Sequence, residues 1–366
     1  MKKIANKKSR IVYIKPANSS FIINDELILS KQFQLKPILL NQQGNKWLFG
    51  LKIIRLFFKL LITSFHKPVI FVSWFADYHA AIMALVGKMT DVQNVIFIGG
   101  QEAVLYPELR KGVYRKKFRG ICVKYALRNT HLIIANHKSL LYHENYYYNT
   151  QNPHIDGIKH YVDGIQTKIE VVFNGIDADR IVRNINIPKQ ENMVLTVGTM
   201  QHLGDFQNKG FDLFIEASTQ NPELNFTLIG FNKNYFSWVE ENYHVSKIKN
   251  LEIIPSFCPQ EILNQKYNQA KVFVQASITE GMPNTLSEAM LMGCIPVGSN
   301  VNGIPDAIGD TGIIIKKRDV TELSKAIRTA LKLNTSSEAR ERVLQLFSKQ
   351  KRENELLEIF EKLSSK

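Results

Sequence analysis

The chain is predicted to fold as an α/β protein of two doubly wound, Rossmann-like domains. Three observations predict this. Apolar runs of four to six residues alternate with longer helical patterns throughout, which implies parallel sheets covered by helices. The runs form two sets of six, separated by the breakers Asn174-Gly175 and Pro188. A length of 366 residues suffices for two such units. The expected domains are residues 1–185 and 186–335, followed by a charged helical tail at 336–366.

The chain starts with MKKIANKKSR, basic like the n-region of an export signal. Only four apolar residues follow, Ile11 to Ile14, so they are read as a first strand. Further strands are expected at 33–39, 69–73, 94–98, 131–135 and 169–173. Residues 46–65 form a strongly amphipathic helix with Lys52, Arg55 and Lys59 on one face. Its apolar arc is wider than covering a sheet requires, as in helices that lie on a membrane surface. A second basic cluster follows at 110–119 (Arg110, Lys111, Arg115, Lys116, Lys117 and Arg119). The strand at 94–98 runs into Gly99-Gly100, where backbone can approach a ligand closely, and then into Glu102. Asp77 and His79 stand at another strand-to-helix turn.

In the second half, strands are expected at 193–197, 225–230, 250–254, 271–275, 295–298 and 312–315. The most informative segment is Glu280-Gly281-Met282-Pro283-Asn284-Thr285-Leu286-Ser287-Glu288. An apolar run precedes it and an apolar helix follows, making a strand–loop–helix unit. The N-terminus of such a helix offers free backbone N–H groups to an anion. Pro283 suits the first helical turn, and Glu288 falls about one and a half turns in.

Composition bounds the reading further. Charged residues make up 22% and hydrophobic residues 45%, as in ordinary soluble proteins. No apolar stretch reaches the ~20 residues needed to span a bilayer. Three scattered cysteines form neither a disulfide frame nor a zinc cluster, which points to a reducing compartment. Residues 1–189 hold 28 Lys/Arg against 12 Asp/Glu, a balance of +16, and residues 190–366 hold 19 against 21, a balance of −2, so the basicity behind the +14 net charge lies in the first half. A basic half suits nucleic acid, anionic lipid or an acidic substrate. No nucleic-acid-binding motif accompanies it.

Glu280 to Glu288 resembles the E-x7-E signature of retaining glycosyltransferases of family 4, which have the GT-B fold. GCIPVGSNVNGIPDAIGDTGIII (293–315) is similar to that family's next strand and its Gly-x-Pro-Glu/Asp loop. LTVGTMQHLGDFQNKGFDLFIEA (195–217) resembles its Val-Gly…Lys-Gly-x-Asp segment. VVFNGIDADR (171–180) resembles the stretch that closes the first domain. The set occurs in the family's order over about residues 170–320.

The resemblance implies two domains facing across a cleft, with a tail that crosses back onto the first. It implies a nucleoside diphosphate sugar as donor, and no metal or other cofactor. Lys209 would contact the donor phosphates, Glu280 the sugar hydroxyls and Glu288 the ribose. Gly198, Thr199, Gly281, Met282 and Pro283 would border the donor. Asn284, Thr285 and Leu286 would offer N–H groups to the phosphates. Phe231 or Phe257 would stack on the base, with core packing the equal alternative. The family's arginine after Val-Gly is here Thr199, and the loop on to Lys209 is longer than usual. Asp177-Ala178-Asp179 is formally a metal motif but reads as a turn.

On the acceptor side, Ser19 and Ser20 replace the family's glycine loop. Glu102 stands where many relatives have aspartate after Gly-Gly; it orients or deprotonates the acceptor hydroxyl, or caps the next helix. Asp77 and His79 border the acceptor, or are structural. The expectation is a metal-independent hexosyltransferase acting on a glycan or lipid-linked acceptor in bacterial surface polysaccharide synthesis. It would sit on the cytoplasmic membrane face, held to anionic lipid by 46–65 and 110–119. A catalytically silent sugar-nucleotide binding module and a sugar-nucleotide 2-epimerase are the alternatives.

Overall fold

A computed structural model describes residues 9–42, 44–66, 68–255 and 258–365. The strands are β1 (Arg10–Lys15), β2 (Gln34–Leu39), β3 (Val69–Trp74), β4 (Asn94–Ile98), β5 (Leu132–Ala135), β6 (His143–Asn145), β7 (His154–Asp156), β8 (Lys168–Val171), β9 (Gln190–Val197), β10 (Asn225–Phe231), β11 (Leu251–Pro255), β12 (Ala270–Gln275), β13 (Ile295–Ser299) and β14 (Ile313–Ile315).

Two six-stranded sheets result, both wholly parallel. Their orders are β2-β1-β3-β4-β5-β8 and β11-β10-β9-β12-β13-β14. Each strand order reverses direction once, between β1 and β3 in the first sheet and between β9 and β12 in the second. Ligands bind parallel sheets at the carboxyl ends of the strands beside such reversals. The apolar runs read from sequence are these twelve strands, each within a few residues.

The alternation of the first-sheet strands sends side chains to two cores. Val12, Ile14, Phe71, Ile96 and Ile98 pack against Leu56 and Leu60 of helix Lys46–Ser64. Ile11, Tyr13, Ile70, Val72 and Phe97 pack against Ile22 and Ile28 of helix Ser20–Ser30 and against Leu356 and Phe360. The last two belong to helix Lys349–Ser364, so the chain's end returns to the first domain. Arg352 anchors it there. Its guanidinium grips Asp25 with two bonds of 2.6 Å and donates to the carbonyls of Val172 and Phe173. The tail is nevertheless divided. Helix Ser336–Leu346 stays with the second domain, where Ala339 and Val343 join the core.

The antiparallel β6-β7 hairpin was not expected from sequence. Its strands are three residues each and mostly polar, so no alternation marks them. It bridges the domains: Asn145 Nδ2 donates to the Ile278 carbonyl at 2.7 Å, and the Tyr147 ring is buried in the second core. Among the described residues no helix is long and apolar enough to cross a membrane.

Candidate active site

The reversal of the second sheet opens onto a cleft of about 680 Å³ between the domains. Val197, Gly198 and Thr199 at the end of β9 line one wall, and Glu280 to Thr285 beyond β12 line the next. The first domain contributes Ser20, Phe21, Trp74, Phe75, Gly99, Lys111 and Asn136. The domains meet tightly at the floor. A Cβ on Gly281 would lie 2.8 Å from the Gly99 carbonyl oxygen and 3.0 Å from Asn136 Oδ1. A side chain at 281 would wedge the cleft open, which gives glycine its reason there. The glycine pair therefore admits the partner domain's backbone. Gly99 lines the cleft, whereas Gly100, at φ +136°, forms the turn facing Gly281.

The two glutamates lie where the strand–loop–helix reading put them. Helix Asn284–Leu291 starts at the cleft after Pro283, which caps it and offers no side-chain acceptor to the first N–H groups. Those of Asn284, Thr285 and Leu286 thus give the cleft a positive end. The Leu286 side chain itself is buried core. Glu280 sits in the loop, its N–H held by Asn302 Oδ1 at 2.9 Å. Its carboxylate accepts from Lys209 Nζ at 2.6 Å. The cation and the anion expected at the donor phosphates and sugar are therefore adjacent and paired. Glu288 also lines the cleft and accepts from the Tyr267 hydroxyl at 3.3 Å. Burial raises its pKa to about 7 against that hydrogen bond. Its charge therefore changes near neutral pH. A second hollow, about 760 Å³, continues past Glu288 and Asn284 toward Tyr267, Asn264 and Asp177.

Several expected residues lie elsewhere. Phe231 is 1% exposed and packs edge-on against Phe206 and Phe236, so it is core and offers no stacking face. Phe257 lies outside the described residues. Ser20 reaches the cleft, but Ser19 is not among its lining residues and precedes helix Ser20–Ser30 as its N-cap position. Asp177 is taken by Lys349 at 2.7 Å, joining the domain edge to the returning helix.

Asp77, His79 and Glu102 gather in a separate hollow of about 280 Å³, which shares Phe75 and Gln101 with the main cleft. Phe75 holds a positive φ of 66°, a strained conformation for an aromatic residue at the junction of the two. Glu102 is fully buried and caps no helix. It accepts from Ala76 N–H at 2.8 Å and Gly100 N–H at 3.3 Å. Burial outweighs these bonds and raises its pKa to about 7. Burial also acts on Asp77, but Arg119 and Gln42 more than compensate and leave it below the ordinary value. Asp77 caps Tyr78 N–H as well. His79 is buried, donates through Nε2 to the Trp74 carbonyl, and is held neutral mainly by burial. It lines the hollow, and its Nδ1 is buried without a partner.

The basic cluster at 110–119 does not face one way. Arg119 turns inward to Asp77, and Lys111 reaches into the cleft to Asp205 at 2.5 Å. Paired acids on neighbouring elements draw both in, leaving Arg110, Arg115, Lys116 and Lys117 exposed. Sequence does not assign several cleft-lining residues to the site, among them Phe75, Lys111, Asn136, Asn174 and Asp205. The Oδ1 atoms of both asparagines are buried without a partner. Each follows a strand of the first sheet by one to three residues, a signal too short to single out.

Residues 177–345 match the model of the family described as Glycosyl transferases group 1. Over 75 residues the chain is 36% identical to the O-antigen chain mannosyltransferase B of Escherichia coli, covering 20% of each. Over 205 residues it is 26% identical to the putative colanic acid biosynthesis glycosyltransferase WcaL of Salmonella typhimurium, covering 50% of this chain and 48% of that one. The chain thus spans at most about half the length of these curated relatives. Among solved structures, the sucrose-phosphate synthase of Thermosynechococcus elongatus superposes with a TM-score of 0.76 at 15% identity, covering 98% of this chain and all of that one. The Anabaena protein HepE in complex with UDP-glucose gives 0.68 at 14% identity, covering 96% and 99%. At such identities the likeness is one of fold, and the fold is GT-B: two Rossmann-like domains across a cleft.

Proposed function

We propose that this chain is a glycosyltransferase of bacterial surface polysaccharide synthesis, moving a hexose-type sugar from a nucleoside diphosphate donor to a glycan or lipid-linked acceptor. One observation carries the reading: Lys209 and Glu280, paired at 2.6 Å, meet the open N-terminus of helix Asn284–Leu291 at the strand reversal of a GT-B cleft. The group 1 match over 177–345 and the two polysaccharide relatives support it.

In this reading the diphosphate takes Lys209 and the helix N–H groups, which stabilise the leaving charge as it develops, without a metal. Glu280, released from Lys209, accepts hydrogen bonds from the sugar hydroxyls. Glu288 accepts from the ribose, best above its pKa of about 7. The acceptor enters from the first domain past Phe75, and Glu102 takes the hydroxyl proton. Retention of the anomeric configuration rests on the resemblance of the Glu280–Glu288 segment.

The exposed face of helix Lys46–Ser64 supports a seat on the cytoplasmic membrane surface. Trp47, Leu51, Ile54, Phe58 and Ile62 form an exposed stripe, flanked by exposed Lys52, Arg55 and Lys59. Ring contacts from Phe49 through Tyr78 to Phe118 join its end to the exposed Phe118, beside Arg115, Lys116 and Lys117. Apolar insertion and attraction to anionic lipid would act together there.

A panel of nucleotide sugars screened by thermal shift tests the donor assignment, since a ligand at 100 times its Kd stabilises by ~2.7 kcal/mol. Transfer to an acceptor supports the enzyme. Thr199, uncharged at the end of β9, favours a second reading, a silent binding module, which would bind donor without transfer or hydrolysis. Conversion of the donor with no acceptor present would indicate an epimerase instead.

A further inference from the structure

We propose that Lys111 is the second cation of the donor site, supplied by the first domain, and that it binds the diphosphate together with Lys209. This rests on the nucleoside diphosphate reading above. Among the described residues, Lys111 and Lys209 are the lysines that line the cleft, and no arginine does. The residue after Gly198 is the uncharged Thr199. A diphosphate carries more negative charge than one ammonium neutralises, and a departing diphosphate gains more.

The geometry explains how a first-domain lysine arrives there. The long connection between β9 and helix Phe211–Gln220 folds into a short helix, Leu203–Asn208. The loop before Lys111 packs directly on it: a Cβ on Gly204 would lie 2.1 Å from the Leu109 carbonyl oxygen. Only glycine allows that approach. Lys111 is pinned by exchanging both backbone hydrogen bonds with Tyr106, at 2.9 and 3.2 Å. Its side chain then crosses the domain boundary to Asp205, and both side chains are largely buried, at 15% and 6% exposure.

The pair is built to open. Asp205 also accepts from Gln201 N–H at 2.9 Å and His202 N–H at 3.2 Å. It keeps two partners if Lys111 leaves, so no buried carboxylate is stranded. An ammonium has three donors, so Lys111 can also hold Asp205 and a phosphate oxygen at once. Because Lys111 and Lys209 belong to different domains, a diphosphate that engages both ties the domains together across the cleft.

Calorimetric titration of UDP and GDP, with uridine and guanosine as controls, tests this on the full chain and on Lys111→Met, Lys111→Arg and Asp205→Asn. Lys111→Met is expected to weaken the diphosphate about ten- to a hundredfold, the range for a charge-assisted bond, and to leave the nucleoside within twofold. Lys111→Arg should stay near wild type. Asp205→Asn, which keeps an acceptor for the two N–H groups, should bind the diphosphate as tightly or more tightly, because it frees the ammonium. If Lys111→Met and Asp205→Asn weaken the diphosphate equally, the pair is only a domain bridge and the proposal fails. It fails also if Lys111→Met changes nothing. Should Lys111→Met not fold, looser diphosphate binding by Asp205→Asn overturns the proposal on its own. A wild-type chain that binds neither diphosphate sinks the donor reading itself, and this inference with it.

Discussion

Glu102→Gln should tilt the dependence of stability on pH. Glu102 is fully buried, accepts from the Ala76 and Gly100 backbone N–H groups and has no ion pair among the described residues. Burial raises its pKa from 4.5 to about 7. A carboxyl whose folded pKa is raised favours folding while protonated. Its contribution is complete below about 4.5 and is lost as pH rises through 7. At ~1.4 kcal/mol per pH unit, the rise corresponds to about 3 kcal/mol across that window as an upper figure. Asp156, also buried and raised to about 7, tilts the wild type in the same direction. Glutamine cannot ionise, so the variant lacks the Glu102 share. It has a separate cost, because its carbonyl can accept from Ala76 N–H but its amide then faces Gly100 N–H. That lost bond costs about 1 kcal/mol at every pH. The variant should therefore be less stable than wild type at pH 5 and equal or more stable at pH 8. Urea midpoints at pH 5, 6, 7 and 8 measure this directly. Parallel curves, with the same gap at each pH, would refute the claim that Glu102 titrates near neutrality within the fold.

Lys209→Ala should weaken nucleoside diphosphate tenfold or more, since a charge-assisted bond is worth ~1.5–3 kcal/mol. The double variant Lys209→Ala/Glu280→Ala should lose less, because Glu280 no longer faces the phosphates unpaired; equal loss of plain nucleoside in calorimetry would end the assignment. If Glu102 takes the acceptor proton, kcat/KM should rise through an apparent pKa near 7, and an initial-rate profile flat from pH 5.5 to 8.5 would remove it from that role. Arg352→Ala should destabilise by about 3–5 kcal/mol, because it strands the buried Asp25; a change under 1 kcal/mol in a denaturant melt would contradict that placement. Changing Lys52, Arg55 and Lys59 to glutamate should abolish sedimentation with acidic vesicles while leaving the melting temperature in place, since all three are exposed. Equal binding to acidic and neutral vesicles by the wild type would make the stripe a solvated face only.

What the sequence by itself determined was local. The twelve sheet strands are apolar runs bounded by breakers, and their lengths are set by chemistry within ten residues. The Glu280–Glu288 unit is likewise written in consecutive residues: strand, loop, proline, helix start. The amphipathic helix at Lys46–Ser64 was legible for the same reason. Tertiary structure decided which way the charges face. Lys111 and Arg119 look like neighbours of Arg115 and Lys116, yet acids at 205 and 77 draw them inward. Asp25 finds its partner 327 residues away. Phe231 became core because Phe206 and Phe236 close over it. The elevated pKa values of Glu102 and Glu288 belong to burial, and burial depends on every element packed around a group. Secondary structure follows from short-range period and turn chemistry, whereas pairing and desolvation follow from contacts whose sequence separation no local pattern encodes.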